Sequence, residues 1–234
     1  MFDDATSAPS THVAIAYHSG HGHTAQQAKA VARGAASVPG THVDLLNVAE
    51  LTEDLWATLD RADAIIFGAP TYMGSPSAPF KTFAEATSKA WADNLRWEEK
   101  IAAGFTNSQT VNGDKLNTLI AFAILAVQHG MHWVSLGLYP GRATGPGSGE
   151  DLNRLGSFLG AMAQSDAGAS PDIAPPRSDL LTAEHLGRRV AAVTRQWVRG
   201  RRLESRGASV RASPGVVGQP RALQGPVARA RQGG

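Results

Sequence analysis

Five short, β-rich apolar runs alternate with helical stretches along this chain, and that alternation restricts its fold more than any other feature. Val13–Tyr17, Val43–Leu46, Ala64–Phe67, Ile101–Phe105 and Trp133–Leu138 are each bounded by turn residues, as buried strands are. Ala25–Ala36 is alanine-rich with polar residues on one side. Leu51, Leu55 and Leu59 recur every four residues, and Phe80–Ala90 follows a Pro/Ser-rich start. Leu116, Ile120, Ala123 and Val127 form one helical stripe, and Leu186, Val190, Val193 and Trp197 form another. Five such alternations predict an α/β fold: a doubly wound, five-stranded parallel sheet with helices on both faces. Residues 140–180 stay unassigned. Leu152, Leu155, Leu159 and Met162 have helical spacing, but Gly156 and Gly160 interrupt it between two Gly/Pro-rich loops.

At 234 residues the chain suits one domain with a tail. It has no cysteine, which excludes disulfides, cysteine nucleophiles and thiolate metal sites. The opening MFDDATSAPS is acidic and polar, unlike a secretory signal, and the apolar run Ile120–Val127 is far short of the ~20 residues a membrane span needs. A cytoplasmic protein without a membrane span is expected. The net charge of +2 hides an asymmetry: residues 199–234 carry eight arginines against the single acid Glu204, so the remainder is net acidic. The basic charge belongs to the tail, and no nucleic-acid partner is expected for the folded domain. The expected organisation is a flexible N-terminus over 1–11, a domain over 12–199 and a disordered basic tail over 200–234.

Ligands of open parallel sheets bind beyond the carboxyl ends of the strands, where the connection order reverses. Three connections there are unusual. The first, His18-Ser19-Gly20-His21-Gly22-His23-Thr24, follows a strand and opens a helix. Its glycines let successive N–H groups point at one spot, its hydroxyls add donors, and the helix N-terminus adds positive potential, as a phosphate cradle requires. It lacks the Gly-Lys-Ser/Thr ending of a triphosphate loop. Gly20-x-Gly22-x-x-Ala25 also satisfies a dinucleotide fingerprint, but no acid closes the second strand, which ends at Asn47. His21 and His23, two apart in a loop, make a weak metal pair. The second connection, Gly68-Ala69-Pro70-Thr71-Tyr72-Met73-Gly74-Ser75-Pro76, offers an aromatic ring and a thioether for flanking a flat ring. The third, Thr106-Asn107-Ser108-Gln109-Thr110-Val111-Asn112-Gly113, is amide-rich and suits a ring edge bearing carbonyls and N–H groups. Each loop alone also reads as an ordinary turn. Phosphate, flat aromatic and hydrogen-bonding ring edge together describe FMN.

The pattern Tyr17-x-Ser19-x-x-Gly22-His23-Thr24, then Pro70-Thr71-Tyr72-Met73-Gly74, Phe105-Thr106-Asn107-Ser108 and Gln128-His129-Gly130-Met131 resembles the Trp-repressor-binding-protein-like NAD(P)H:quinone oxidoreductases of the flavodoxin superfamily. The similarity spans roughly residues 12–198. It implies a flavodoxin-like fold, FMN as cofactor, NADPH or NADH as donor, a quinone acceptor and a homo-oligomer, dimer or tetramer. By position, Ser19 to Thr24 would hold the phosphate, Thr71 to Met73 the isoalloxazine edge, and Asn107 to Gly113 the rest of the ring site. Trp91 would stand near the substrate, and His129 would approach the flavin. The family's second loop typically reads Thr-Arg-Phe where this chain has Thr71-Tyr72-Met73, and His21 replaces an aromatic. Alternatives left open are a flavodoxin-like electron carrier, an NAD-linked dehydrogenase without flavin, and a non-enzymatic interaction protein.

No catalytic triad is visible, so a flavin would do the chemistry and the protein would position it. Helical geometry places Leu116, Ile120, Ala123 and Val127 on one face, expected to meet the sheet. Phe122, Leu125 and His129 fall roughly opposite, expected to meet a second subunit. His129 would then serve a neighbour's flavin.

Overall fold

The computed structural model describes residues 10–141, 151–166 and 168–211, with side chains through residue 205. The chain divides into two units, residues 1–200 and 201–234. In the first unit the alternation becomes β1 (Thr11–Tyr17), α1 (His23–Ala36), β2 (Thr41–Asn47), α2 (Glu53–Arg61), β3 (Ala64–Tyr72), β4 (Ser75–Pro76), α3 (Ala78–Ala86), α4 (Ser88–Ala92), β5 (Ile101–Ser108), α5 (Lys115–Gln128), β6 (His132–Trp133) and β7 (Ala161–Gln164). Helix α6 follows at Arg177–Arg211.

The sheet order is β2-β1-β3-β5-β6, parallel throughout, with β7 also parallel to β5. Side chains alternate between its faces with period two. Val13 and Ile15 join α1 and α6 in one core, which takes in Val31, Leu186 and Val190. Ala14 and Ala16 join α2, α3 and α5 in the other, through Leu59, Phe80, Phe83, Leu119 and Phe122. The doubly wound α/β expectation is met, and the Leu186–Val190 stripe of α6 is buried as its spacing requires.

The sequence boundaries change in four places. The run Trp133–Leu138 is not one strand: pairing stops at Trp133. The edge position beside β5 is shared, β6 pairing at Ile101 and Ala102 and β7 at Phe105 through Ser108. The unassigned stretch therefore supplies β7. Second, β3 extends through Tyr72 and folds back on β4, so the second loop is a hairpin. Its tip is Met73-Gly74, φ 48° and 77°, two left-handed residues whose twist matches that of the flanking strands. Third, α6 continues to Arg211, so a helix occupies the start of the segment expected to be disordered; residues 212–234 of that tail, and residues 1–9, lie outside the described residues.

The fourth change is a reversal. On α5 the buried residues are Lys115, Thr118, Leu119, Phe122 and Ala126. Leu116, Ile120, Ile124 and Val127 are 41–61% exposed. The expected sheet face is the outer face, and Phe122 packs inward against Phe80, with ring centroids 4.6 Å apart. The helix is apolar on both sides, so periodicity alone gave no sign of which stripe turns inward.

Candidate cofactor site

At the carboxyl edge, the connection from β1 to β2 runs one way across the sheet and the return to β3 runs the other. The switch point lies between β1 and β3, where a doubly wound sheet opens a crevice. A cleft of ≈ 950 Å³ occupies this edge, at the upper end of the size of small-molecule sites. All three expected loops reach it: His21, His23 and Thr24 from the first, Pro70 to Gly74 from the second, and Asn107 to Thr110 with Gly113 from the third. Ser19, Gly20, Gly22, Val111 and Asn112 build these loops without lining the cleft.

In the first loop, Ser19 Oγ accepts from the N–H groups of Gly22 and Ala25, both at 3.1 Å. The chain enters α1 through Gly22 at φ 88°. Gly22 at the N-cap has no side chain to cap that helix, Ser19 Oγ takes a single first-turn amide, that of Ala25, and the first turn holds no acid. Its N-terminal amides and macrodipole therefore face the cleft without a competing carboxylate of their own. A Cβ on Gly20 would stand 2.5 Å from Tyr72 Oη, so the absence of a side chain there lets the hairpin ring lie over the loop. Among the described residues no lysine or arginine lines the cleft. Attraction for a phosphate has to come from amides, hydroxyls and the helix end.

The hairpin side chains divide their roles differently from the sequence expectation. Thr71 points inward, its hydroxyl 2.8 Å from those of Thr106 and Thr118, while Thr106 donates to the Ala69 carbonyl. This buried hydroxyl chain ties β3, β5 and α5 together beneath the cleft. Tyr72 is half-exposed, with its ring 6.2 Å from that of His21. Met73 is fully exposed at the hairpin tip. Burial raises the Tyr72 phenol above its ordinary range.

The third loop is wrapped around an ammonium group. Lys115 is fully buried, and Nζ donates to Ser108 Oγ and to the carbonyls of Thr110 and Val111, each at 2.8 Å. All three protons are used. Burial pushes its pKa down to about 8, opposed by the negative charge of Asp179 and reinforced by Arg154. Gly113 sits against Ser108, where a Cβ would come within 2.2 Å of the hydroxyl. Asn107 and Ser108 are nearly buried, so they shape the floor while Gln109 and Thr110 form the rim.

Sequence reasoning missed a fourth wall. Ser165, Asp166 and Gly168 line the cleft from the segment after β7. Ser165 donates to Asn107 Oδ1 at 3.1 Å, and Gln164 Nε2 donates to the Gln109 carbonyl at 3.0 Å. The segment also closes over the first loop: His23 Nε2 lies 2.8 Å from the Ala169 carbonyl, and a Cβ on Gly22 would meet Pro171 at 2.6 Å. His23 is thus a strut rather than half of a metal pair with His21. A bidentate pair holds the segment to α6, with Arg154 Nε and Nη2 donating to Asp179 at 2.8 and 2.7 Å and the Gln164 N–H adding a third bond at 2.9 Å. Burial raises the Asp179 carboxyl, against the opposing effect of Arg154. The only sequence signal for this wall is the acid-base pair Asp179 and Arg154, which no local spacing connects.

Trp91 and His129 are elsewhere. Both line a second groove of ≈ 660 Å³ between α3, α4 and α5. His129 ends a 14-residue helix that begins beside the cleft, so about 20 Å of helix separates it from Lys115. It is not on the outer face: it is buried, its ring tilted by 36° against that of Trp97 with centroids 4.8 Å apart, and with Nε2 at 2.9 Å from Thr87 Oγ1. Burial lowers its pKa. Within one chain neither residue touches the cleft.

Residues 14–139, more than half the chain, match the NADPH-dependent FMN reductase family. The chain belongs to that family. Flavodoxin FldP of Pseudomonas aeruginosa is 44% identical over 182 residues, covering 78% of this chain and 96% of the relative. An NAD(P)H dehydrogenase (quinone) of Archaeoglobus fulgidus is 32% identical over 77% of this chain and 96% of its own length. The crystal structure of a flavodoxin, WrbA-like protein from Agrobacterium tumefaciens superposes with a TM-score of 0.63 at 44% identity, covering 80% of this chain and 99% of that one. The flavodoxin-like fold and the WrbA-like relationship are therefore established, and FMN with a nicotinamide donor is the cofactor assignment that goes with them. The chain is an oxidoreductase of this FMN-dependent group. Among the described residues no helix is long and apolar enough to cross a membrane.

Proposed function

We propose that this protein is a reductase that passes two electrons from NAD(P)H to quinones, with FMN held in the cleft and donor and acceptor entering it in turn. The observation that carries this reading is the convergence of three chemically distinct loops on one crevice at the switch point. The residues present fit the cofactor: a helix start without acids for a phosphate, Tyr72 for a ring face, and the Asn107–Ser108 floor with the Gln109–Thr110 rim for a polar ring edge. FMN, when bound, supplies the two-electron redox chemistry. The protein's part is to orient it, to shield its ring with Tyr72, and to hold the amide-rich rim fixed through Lys115.

We also propose a homo-oligomer. Leu116, Ile120, Ile124 and Val127 form an exposed apolar stripe on α5, next to half-exposed Trp91. An apolar outer face on a sheet-covering helix is suited to a symmetric partner. Trp91 would approach a cleft only from a second copy, whereas His129 is buried against Thr87 and Trp97.

The experiment is anaerobic addition of NADPH to the FMN-loaded protein. Bleaching of the flavin band, restored by a quinone, with parallel lines in double-reciprocal plots, supports the reading. A second reading has its own support, since two relatives at 44% identity are described as flavodoxins. A protein that NADPH leaves yellow, but that exchanges electrons with a separate reductase, is such a carrier.

A further inference from the structure

The opposite end of the sheet holds a cluster that the flavin chemistry does not use. Parallel pairing of β1 and β2 sets His12 beside His42, and Ala14 beside Asp44. His12, His42 and Asp44 have the same parity along their strands as Ala14 and Leu46, so all three emerge on the α2 side of the sheet. The imidazole centroids lie 4.8 Å apart. Both Nε2 atoms address one oxygen of Asp44: His42 at 3.4 Å, and His12 in closer contact. The three potential ligand atoms lie within 4.8 Å of one another. Asp63 adds negative charge nearby, accepting from the His12 backbone N–H at 2.8 Å.

We propose that His12, His42 and Asp44 form a binding site for a divalent transition-metal ion of the zinc class. Two imidazoles and one carboxylate are a borderline donor set that prefers zinc, cobalt, nickel or copper to calcium or magnesium. Ligand atoms about 2.0–2.2 Å from such an ion stand roughly 3–3.6 Å apart, close to the His42–Asp44 separation. His42 is exposed while His12 and Asp44 are partly covered, so an ion has a path from solvent and leaves open positions for water. The site joins the edge strand β2 to its neighbour. It stands five residues, about 16 Å, along β1 from Tyr17 at the cofactor edge, so its role is to clip the sheet edge rather than to take part in electron transfer. The alternative, in which Asp44 merely accepts hydrogen bonds from two imidazoles, makes the opposite prediction for metal uptake.

The test is calorimetric titration of zinc chloride into the FMN-loaded full chain with no affinity tag. One saturable zinc ion per chain is expected, with a melting temperature that rises on zinc addition. His42→Ala and Asp44→Asn are each expected to weaken uptake by more than the roughly 10–100-fold that loss of an outer partner of a metal ligand costs. His132→Ala, at a histidine paired with Glu99 on the far strand, is expected to leave uptake unchanged. Retained flavin content and an unchanged metal-free melting temperature show that the variants fold. Absence of saturable uptake, or uptake that survives both substitutions, overturns the proposal.

Discussion

Lys115→Met removes a buried charge that holds the third loop and keeps a side chain of similar length. The ammonium makes three hydrogen bonds, to Ser108 Oγ and the Thr110 and Val111 carbonyls. At roughly 1.5–3 kcal/mol for each bond to a charged donor, the gross contribution is about 4–9 kcal/mol. Against it stands the cost of burial. The fall of the pKa from 10.5 to about 8 corresponds to about 3 kcal/mol, at about 1.4 kcal/mol per tenfold change in proton affinity. The hydrogen bonds win, and the variant is expected to lose about 1–6 kcal/mol, read as a lower urea midpoint. Because the freed loop forms one wall of the cleft, FMN titrated by fluorescence quenching is expected to bind roughly 10–100-fold more weakly, which is about 1.4–2.8 kcal/mol. The pH dependence has a definite sign. Below pH 8 the lysine is charged in both folded and unfolded chains, and the burial penalty is present in full. Between pH 8 and 10.5 the folded chain has released its proton while the unfolded chain keeps it, so wild-type stability rises relative to the methionine variant. A variant whose urea midpoint and FMN affinity both match the wild type would show that Lys115 does not organise the loop.

Ser19→Ala with Thr24→Ala is expected to weaken FMN binding by about 2–4 kcal/mol through lost charge-assisted hydrogen bonds and a loosened first loop; unchanged affinity by fluorescence titration would remove the phosphate assignment. Gly187→Ala places a Cβ 1.9 Å from the Val31 carbonyl where α6 crosses α1, and is expected to cost about 3 kcal/mol or more. That is a fall of roughly 6–12 °C in Tm for a domain of this size, and a Tm within 2 °C of wild type, on the order of 0.5–1 kcal/mol, would refute the close crossing. Ile120→Asp with Ile124→Asp is expected to turn an oligomer into monomers by light scattering while leaving Tm almost unchanged, because both side chains are already half-exposed; a wild-type protein that is monomeric at micromolar concentration refutes the interface.

The layers of this fold were legible because each buried strand announces itself twice, by β-rich composition and by the turn residues around it. The three loops were legible for a related reason. Glycine, proline and clustered hydroxyls at strand ends are locally costly, and a chain that keeps them at one sheet edge uses them there. Strand lengths were less visible. Asn107 and Ser108 read as polar loop yet complete β5, because Ser165 and Lys115 satisfy them from elsewhere in the chain. The same holds for the fourth wall, where Arg154 and Asp179 meet across 25 residues without any local pattern.

Helix α5 shows why a strong pattern misled. Leu116, Ile120, Ala123 and Val127 are a regular apolar stripe, yet the inward face carries Lys115 and Thr118 beside Leu119, Phe122 and Ala126. The polar members decide the orientation. Lys115 has to reach the Ser108–Val111 turn, and Thr118 lies against Thr71, so their partners sit on the sheet side near the cleft. The larger ring, Phe122, then fills the space beside Gly104, where a Cβ would stand 2.9 Å away. Cofactor-loop anchoring thus fixes the rotation of the helix, and the more uniform aliphatic stripe is left outside. Residues that build the cleft on one side of α5 thereby expose the surface proposed for a second copy on the other. On this reading the Lys115→Met and Ile120→Asp variants divide the helix's two roles: the first is expected to lower flavin affinity in a chain that still oligomerises, and the second to yield folded monomers that still carry the Lys115 clamp.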